Sequence, residues 1–316
     1  MRSTSFFLLA SLLPCAAAQP VISTPLLAYV YDPGVRAIRA LRGIPGAAAL
    51  AETVDAGFPV AAAAVAPSHN FAIAISTAGE IRIVDWRTGT ATSTVLAGAM
   101  SSPDGLAFSS SGAVAVISDS QSGHIQLVTS MPATPVIQEI APAGGAPPTA
   151  IAVADDGTIA FAAADGVHLV GADGAPSSLP LPTSIVALAF APSGDDLLAA
   201  TTAGDLYLAA DVSADAVIRK IGSDDRLAAP VAVQFSADES TAFVSTQAGT
   251  VASVDLNSGA AATLSCQCAP DALERLGNAN LFRLTGVSNR PVLIFDGTPQ
   301  SPRLWFIPAA DSRNAQ

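Results

Sequence analysis

Basic residues are scarce in this sequence, and Lys220 is its only lysine. The 14 Lys and Arg residues stand against 26 Asp and Glu residues, which gives a formal net charge of −12 at pH 7. Nucleic acids and anionic lipid surfaces are bound mainly through clustered Lys and Arg side chains. The composition therefore predicts a protein that binds neither.

Long hydrophobic runs are also missing, so we predict no membrane span. The run at residues 6–13 is too short to cross a bilayer core of roughly 30 Å as a helix. It follows Arg2 and precedes three alanines that end at Ala18, which is the pattern of a signal peptide. We therefore predict a signal peptide at residues 1–18 and a secreted or periplasmic protein. A lipid-modified Cys15 is the alternative, although Pro14 fits such a site poorly.

Motifs for catalysis and cofactor binding are absent as well. The sequence has no Gly-x-Ser-x-Gly beside a plausible His–Asp pair, no glycine-rich phosphate loop and no Cys-x-x-Cys-His motif for haem. We predict no catalytic, cofactor-binding or metal-binding residue.

Cysteine is rare, and Cys266 and Cys268 are the two that follow the predicted signal peptide. In an oxidising compartment such a pair is expected to form a disulfide. Residues two apart in an extended strand lie near the outer limit for a bridge. We predict a small structural clip before the last repeat unit, with a redox or copper-binding pair as the alternative.

The residues that are abundant belong to turns and strands. Most acids are Asp rather than Glu, and 24 Gly and 23 Pro accompany many Val, Ile, Phe and Thr residues. Asp, Gly and Pro favour turns, whereas β-branched and aromatic residues favour strands. The composition indicates an all-β chain.

A repeat of about forty residues runs through this chain. Each unit has a short apolar strand, a polar turn, a second strand, a turn usually containing Gly, an alternating third strand and a weaker fourth. Four strands at this period are typical of a propeller blade. The six apolar anchors, at intervals of 43, 45, 37, 45 and 41 residues, are Val65, Phe108, Val153, Phe190, Phe235 and Leu276.

A partial unit from Leu26 precedes these six and matches only second and third strands. Six full units and one partial unit predict a seven-bladed β-propeller with four-stranded blades. We expect it to be a single domain at residues 19–316, with six or eight blades as alternatives. A β-sandwich array is the competing architecture, and it would require an inter-domain linker that the sequence does not show.

No Lys or Arg occurs from Thr88 to Ile218, so a ring would have an acidic side opposite an arginine-bearing side.

The missing first strand of the first blade suggests how the ring closes. Residues 303–311 align with residues 187–195, with Phe306 at the anchor position. A continuous apolar run fits a strand buried on both faces. We therefore predict that Leu304, Trp305, Phe306 and Ile307 form the innermost strand of blade one, paired with Ala28–Tyr31. The alternative is the outer strand of blade seven.

The periodicity resembles secreted bacterial propellers of the YVTN/YncE-like and NHL-like kind, which are relatives of the WD40 architecture. The resemblance covers nearly the whole chain after residue 18, but the Trp-Asp motif that ends WD40 blades appears only inverted, as Asp85-Trp86. It implies a propeller that binds other molecules, and it carries no catalytic residue to any position.

Two sets of polar residues remain to be placed. Three acidic pairs, at 155–156, 195–196 and 238–239, fall in turns between first and second strands, where they could bind Ca²⁺ or simply form the turns. The three histidines fall in an inner turn (His69) and on third strands of adjacent blades (His124 and His168), so we expect them not to converge.

The function class follows from these features. We predict a secreted binding or interaction scaffold whose partner is a protein, a glycan or a small molecule. The alternative is a lactonase-like hydrolase with a metal ion in the central channel. That alternative needs polar ligands on inner strands, where the sequence offers mostly Ala together with Gln234 and Glu274.

Overall fold

The computed structural model describes residues 24–140, 147–171, 174–277, 279–298 and 302–309. Within these residues the chain forms 27 strands in seven sheets, with one short 3-10 helix at Asp225–Leu227. None of the helical structure in this part of the chain is long and apolar enough to cross a membrane. The predicted signal peptide at residues 1–18, with Cys15, lies outside the described residues.

The seven sheets follow one another along the chain as blades one to seven. Blade one contains β1 (Leu26–Asp32), β2 (Ala37–Arg42) and β3 (Ala49–Val54). The strands of blades two to four are β4 (Val60–Val65), β5 (Phe71–Ser76), β6 (Ile81–Asp85), β7 (Thr92–Val95), β8 (Gly105–Phe108), β9 (Ala115–Asp119), β10 (His124–Thr129), β11 (Val136–Ile140), β12 (Ala150–Val153), β13 (Ile159–Ala163), β14 (Gly166–Val170) and β15 (Pro176–Leu179). Those of blades five to seven are β16 (Ile185–Phe190), β17 (Leu197–Thr201), β18 (Asp205–Ala210), β19 (Val217–Ser223), β20 (Pro230–Phe235), β21 (Thr241–Thr246), β22 (Thr250–Asp255), β23 (Ala261–Ser265), β24 (Glu274–Arg275), β25 (Leu281–Arg283), β26 (Val292–Asp296) and β27 (Arg303–Ile307).

Within each blade the strands pair antiparallel in chain order. The turn between the second and third strands of blade two contains Gly79, which has a φ of +82°. A Cβ atom there would lie 2.4 Å from Ser102 Oγ. Glycine therefore provides both the left-handed backbone and the close approach of the next loop.

The hydrophobic core lies between the blades, where neighbouring sheets pack face to face. Ala187 and Ala189 of β16 share one cluster with Val233 and Phe235 of β20. Small side chains on one inner strand thus leave room for a large one on the next. Burial of each such Phe stabilises the fold by about 1.5–3 kcal/mol.

The blades form a closed ring, which makes the protein a seven-bladed β-propeller. Neighbouring inner strands from β4 to β20 contact one another in order, and β1 contacts β4. Phe243 and Phe282 belong to one cluster that joins blades six and seven. Val30 and Ile294 belong to another that joins blades one and seven. We call this last junction the seam.

Blade one has three strands in the described part of the chain, whereas the other six have four. As predicted for the partial unit, β1 corresponds to a second strand. No described strand pairs with its inner edge, and the first strands of the other blades line the centre of the ring. The inner end of the seam therefore has no strand of blade one among the described residues.

The predicted closure by Leu304, Trp305, Phe306 and Ile307 is wrong. These residues lie on β27, the outermost strand of blade seven, where Ile307 pairs with Val292. Phe306 is 65% exposed, whereas Trp305 packs against the cluster shared by blades seven and one. The free outer edge of β26 offers the following segment immediate antiparallel pairing, which satisfies its backbone groups without a crossing to the channel.

One alignment within the repeat also needs correction. The backbone pairing of Arg275 with Phe282 matches that of Val65 with Ala72, so Arg275 holds the anchor position of blade seven. Leu276 lies one residue later, where its N–H bonds to Leu281 O as Ala66 N–H bonds to Phe71 O. Because the other anchors are apolar, the sequence alignment placed the anchor at Leu276 instead of at Arg275.

Candidate functional site

A cavity of about 600 Å³ lies at the centre of the ring and is the main candidate site. It is lined by the first strands of blades two to seven, and no residue of β1 belongs to its wall. Most of the wall is apolar, and Ala107, Phe108 and Ile151 on it are only half-buried. Small inner-strand side chains thus leave a channel with an apolar surface.

Most of the charged groups of the channel lie on blade seven. Arg283 Nε donates a hydrogen bond to Glu274 Oε2 over 2.7 Å, and Arg283 Nη1 lies 3.5 Å from Asp271 Oδ1. Gln234 on neighbouring β20 also lines the cavity, and its side chain makes no hydrogen bond to another described residue. Glu274 and Gln234 are the inner-strand polar residues that the sequence indicated.

Arg275 lines the same cavity and fastens blade seven to blade six. Its guanidinium donates to Ala279 O over 3.0 Å and to Phe235 O, and it lies 4.8 Å from the centre of the Phe282 ring. Burial lowers the pKa of Arg275 from its ordinary value. Carbonyl oxygens and an aromatic face therefore balance a desolvated cation here.

The acidic pairs lie in the predicted turns, and several of their carboxylates tie neighbouring turns together. Asp155 Oδ1 accepts from Ser111 N and Ser111 Oγ in blade three, and Glu239 accepts from Ser193 N in blade five. Burial raises the pKa of Asp155, but hydrogen bonds from residues 109–111 together lower it by more. The net shift of the pKa is therefore downward. These acids act as hydrogen-bond acceptors between blades.

Other acids of the same turns are used locally. Asp156 accepts from Thr158 N over 2.8 Å, and Asp238 accepts from Ser236 Oγ over 2.6 Å. In the described ranges, no group of three or more His, Cys, Asp or Glu side chains is placed to hold a metal ion. Hydrogen bonds within the turns account for the positions of these carboxylates.

The three histidines lie apart, as the repeat predicted. His124 on β10 contacts Glu139, and His168 on β14 stacks on Phe161 with ring centres 5.2 Å apart. His69 is the exception to a purely peripheral role, because its imidazole reaches into the seam. Tyr29 N of β1 lies 3.3 Å from its Nδ1, and Gly277 N of blade seven lies 2.9 Å from its Nε2.

Cys266 and Cys268 form a disulfide in the structure, with Cα atoms 5.1 Å apart. The intervening Gln267 has a φ of +50°, so a left-handed residue brings the two sulfur atoms together. Cys266 N bonds to Gly249 O in the turn before β22. The clip therefore lies in the connection between β23 and β24.

Sequence reasoning missed three lining residues: Asp104, Arg275 and Arg283. Asp104 lies just before β8, outside the inner strand itself. Arg283 lies on a second strand and reaches the channel because β24 has only two residues. Charged residues between apolar ones, in the segments 273–276 and 281–284, were the signal that could have found Arg275 and Arg283.

These features define a class: a seven-bladed β-propeller with a central cavity in which Glu274, Arg275 and Arg283 of blade seven supply most of the charged groups. No protein-family model and no curated protein matches the chain. A functionally unknown protein from Desulfotomaculum acetoxidans is similar in structure, with a TM-score of 0.62 and 13% identity over 89% of this chain and 99% of that one. The β-propeller domain of Cps50 (Swd1) from Myceliophteria thermophila has a TM-score of 0.57 and 16% identity over 78% of this chain and 86% of its own. At these identities the likeness shows the fold alone.

Proposed function

We propose that the protein is a secreted binding module that holds a ligand in its central channel. The cavity of about 600 Å³ carries this proposal. Its volume falls in the range of roughly 300–1,000 Å³ that is usual for pockets that bind small molecules. Such a site is too narrow for a folded protein, so the ligand is a small molecule, a glycan end or an extended peptide segment.

The wall of the channel indicates the chemistry of this ligand. Apolar side chains such as Phe108 and Ile151 would cover an apolar body. Gln234 offers an unused amide on the side where Glu274 and Arg283 form their ion pair. A ligand with one polar end would place that end against blade seven, because that wall supplies both donors and acceptors.

Secretion and family are parts of the same proposal. Residues 1–18 have the composition of a signal peptide, and the repeat intervals resemble those of YVTN/YncE-like and NHL-like propellers. N-terminal sequencing of protein recovered outside the cytoplasm should start at Gln19. A chain that retains residues 1–18 and stays in the cytoplasm would contradict secretion and leave the channel proposal intact.

The hydrolase alternative gains no support from the site. It requires several acidic or histidine ligands around one metal ion, and the described residues contain no group of three such side chains in reach of one another. Glu274, the acid on an inner strand, is paired with Arg283 at 2.5 Å.

A crystallographic screen with a library of small-molecule fragments tests the channel. We expect bound fragments in the cavity, with polar atoms near Gln234 or the Glu274–Arg283 pair. Ala107→Trp should fill the cavity and abolish that binding, whereas Ala262→Trp on the exposed outer strand β23 is the matched control. Fragments that bind only elsewhere, or that persist in Ala107→Trp, would rule the channel out.

A further inference from the structure

The seam leaves one strand of blade one without an inner neighbour, and a side chain from blade two fills part of that space. The N–H of Tyr29 on β1 points towards the open side and meets Nδ1 of His69 at 3.3 Å. His69 belongs to the turn between β4 and β5, where its backbone N–H bonds to Ala66 O and its φ is +55°. A histidine ring therefore occupies space that a first strand fills in the other blades.

The other nitrogen of the same ring reaches blade seven. Gly277 N lies 2.9 Å from His69 Nε2, although the two residues are 208 positions apart in sequence. One imidazole thus contacts blades one and seven from its place on blade two. A cavity of about 350 Å³ lies between the same three blades, and its wall includes Tyr31, Val65 and Glu274.

The acceptor count of this ring is what makes the contact sensitive to protons. A neutral imidazole has one acceptor nitrogen and one N–H, whereas the imidazolium has two N–H groups and no acceptor. Both ring nitrogens of His69 face backbone N–H groups. The neutral ring can accept from one of them in either tautomer, and the protonated ring can accept from neither.

Two opposing effects act on the protonation of the His69 ring. Burial lowers the pKa of His69, while the negative charge of Glu274 on β24 acts in the opposite direction. On β1, Tyr29 presents its ring to Trp86 with centres 4.9 Å apart, and Trp86 Nε1 donates to His69 O over 3.0 Å. Glu274 is the charged group among the described residues that acts on the imidazole.

We propose that His69 is an acid-released latch that holds the seam of the propeller closed. Above about pH 6.5 the neutral ring bonds blade two to blade one or to blade seven. Protonation removes the remaining acceptor, so that both ring nitrogens present N–H groups to backbone N–H groups, and the inner end of the seam then loosens. This device operates whether or not the channel binds a ligand.

The direction of the pH effect follows from proton linkage. The pKa of His69 is lower in the folded chain, so the unfolded or locally opened chain binds more protons between the two pKa values. Stability of the closed seam is therefore complete above about pH 6.5 and is lost as the pH falls below it. Each pH unit within that window favours opening by up to about tenfold.

Amide hydrogen exchange, measured residue by residue between about pH 7.5 and 5.5, tests the latch, because the lower value is one unit below the ordinary pKa of histidine. After correction for intrinsic exchange, the protection of Tyr29 and Gly277 should fall by several-fold up to about tenfold. The internal control is the amide of Ala237, which donates to Asn280 Oδ1 over 2.7 Å between blades six and seven. Its acceptor does not titrate, so its protection should stay constant.

The variant His69→Asn separates a titrating latch from a merely structural contact. Asn tolerates positive φ, and its amide oxygen accepts a hydrogen bond at every pH in the range. We expect lower protection of Tyr29 and Gly277 in this variant, because the shorter side chain reaches less far, but no further loss on acidification. A fall in His69→Asn equal to that of the unaltered protein, an equal fall at Ala237, or constant protection of Gly277 in the unaltered protein would each overturn the latch.

Discussion

Trp305 of blade seven packs directly against Gly46 of blade one. A Cβ atom on Gly46 would lie 2.6 Å from Cζ3 of the Trp305 ring. The indole Nε1 is buried and has no hydrogen-bond partner among the described residues, so the contact depends on packing. The seam is thus held by an aromatic ring at its outer end and by the His69 imidazole at its inner end.

Gly46→Ala should weaken the seam by forcing a methyl group into the Trp305 ring. Gly46 has a φ of +85°, so the variant also acquires backbone strain. Gly57→Ala is the matched control, because Gly57 has a φ of +75° and open space where a Cβ would lie. We expect a loss of about 2–4 kcal/mol for Gly46→Ala and about 1–2 kcal/mol for Gly57→Ala in denaturant unfolding. Equal losses would mean that the ring contact contributes nothing.

The outer strand of blade seven supplies a second comparison. Ile307 is 1% exposed and lies in the seam cluster, whereas Phe306, its neighbour on β27, is 65% exposed. Ile307→Ala should lower the free energy of unfolding by about 2–4 kcal/mol, because it leaves a cavity between two blades. Phe306→Ala should change it by less than about 0.5 kcal/mol, as surface substitutions usually do. A larger effect at Phe306 would favour an inner position for this strand, against the pairing described above.

The cysteine pair is expected to be oxidised in protein that is purified without a reductant. Intact mass should be two hydrogens lighter than that of the reduced chain. Closing so small a loop restricts the unfolded chain only slightly, so reduction should cost about 1–2 kcal/mol. Cys266→Ser combined with Cys268→Ser should match the reduced protein in denaturant unfolding. Two thiols that alkylate freely in unreduced material would contradict the clip.

The periodicity predicted the architecture because the blades repeat the same order of strands and pack apolar faces against their neighbours in the same way. The anchors Val65 and Phe235 end inner strands at the expected positions, and the Gly79 turn follows the second strand as predicted. A repeat pattern reports which face of a strand is buried, and that information is local. It could therefore place six complete blades and a partial one without reference to their contacts.

The seam escaped prediction because its contacts join distant parts of the chain. Phe306 looked like an anchor, but the pattern of Leu304–Ile307 fits any strand with a buried face, and the partner was decided by the free edge of β26. His69 looked like an ordinary turn residue, since no local pattern records the approach of Gly277 across the ring. The candidate site divides in the same way: Glu274 and Gln234 were found on inner strands, whereas Arg275 was hidden by the apolar residue that follows it.

Replacement of Arg275 tests whether this side chain stabilises the junction of blades six and seven. Its guanidinium bonds to Phe235 O and Ala279 O and lies over Phe282, so Arg275→Ala removes two donors and a packed stem. Loss of a partner from a part-buried acceptor costs about 1–3 kcal/mol, and we expect a decrease of that size in the free energy of unfolding. Arg290→Ala is the control, because Arg290 is exposed in the loop before β26, and its replacement should change stability by less than about 0.5 kcal/mol. Because a general loss of positive charge from this acidic protein would act on both variants alike, equal decreases would assign the effect to net charge rather than to the junction.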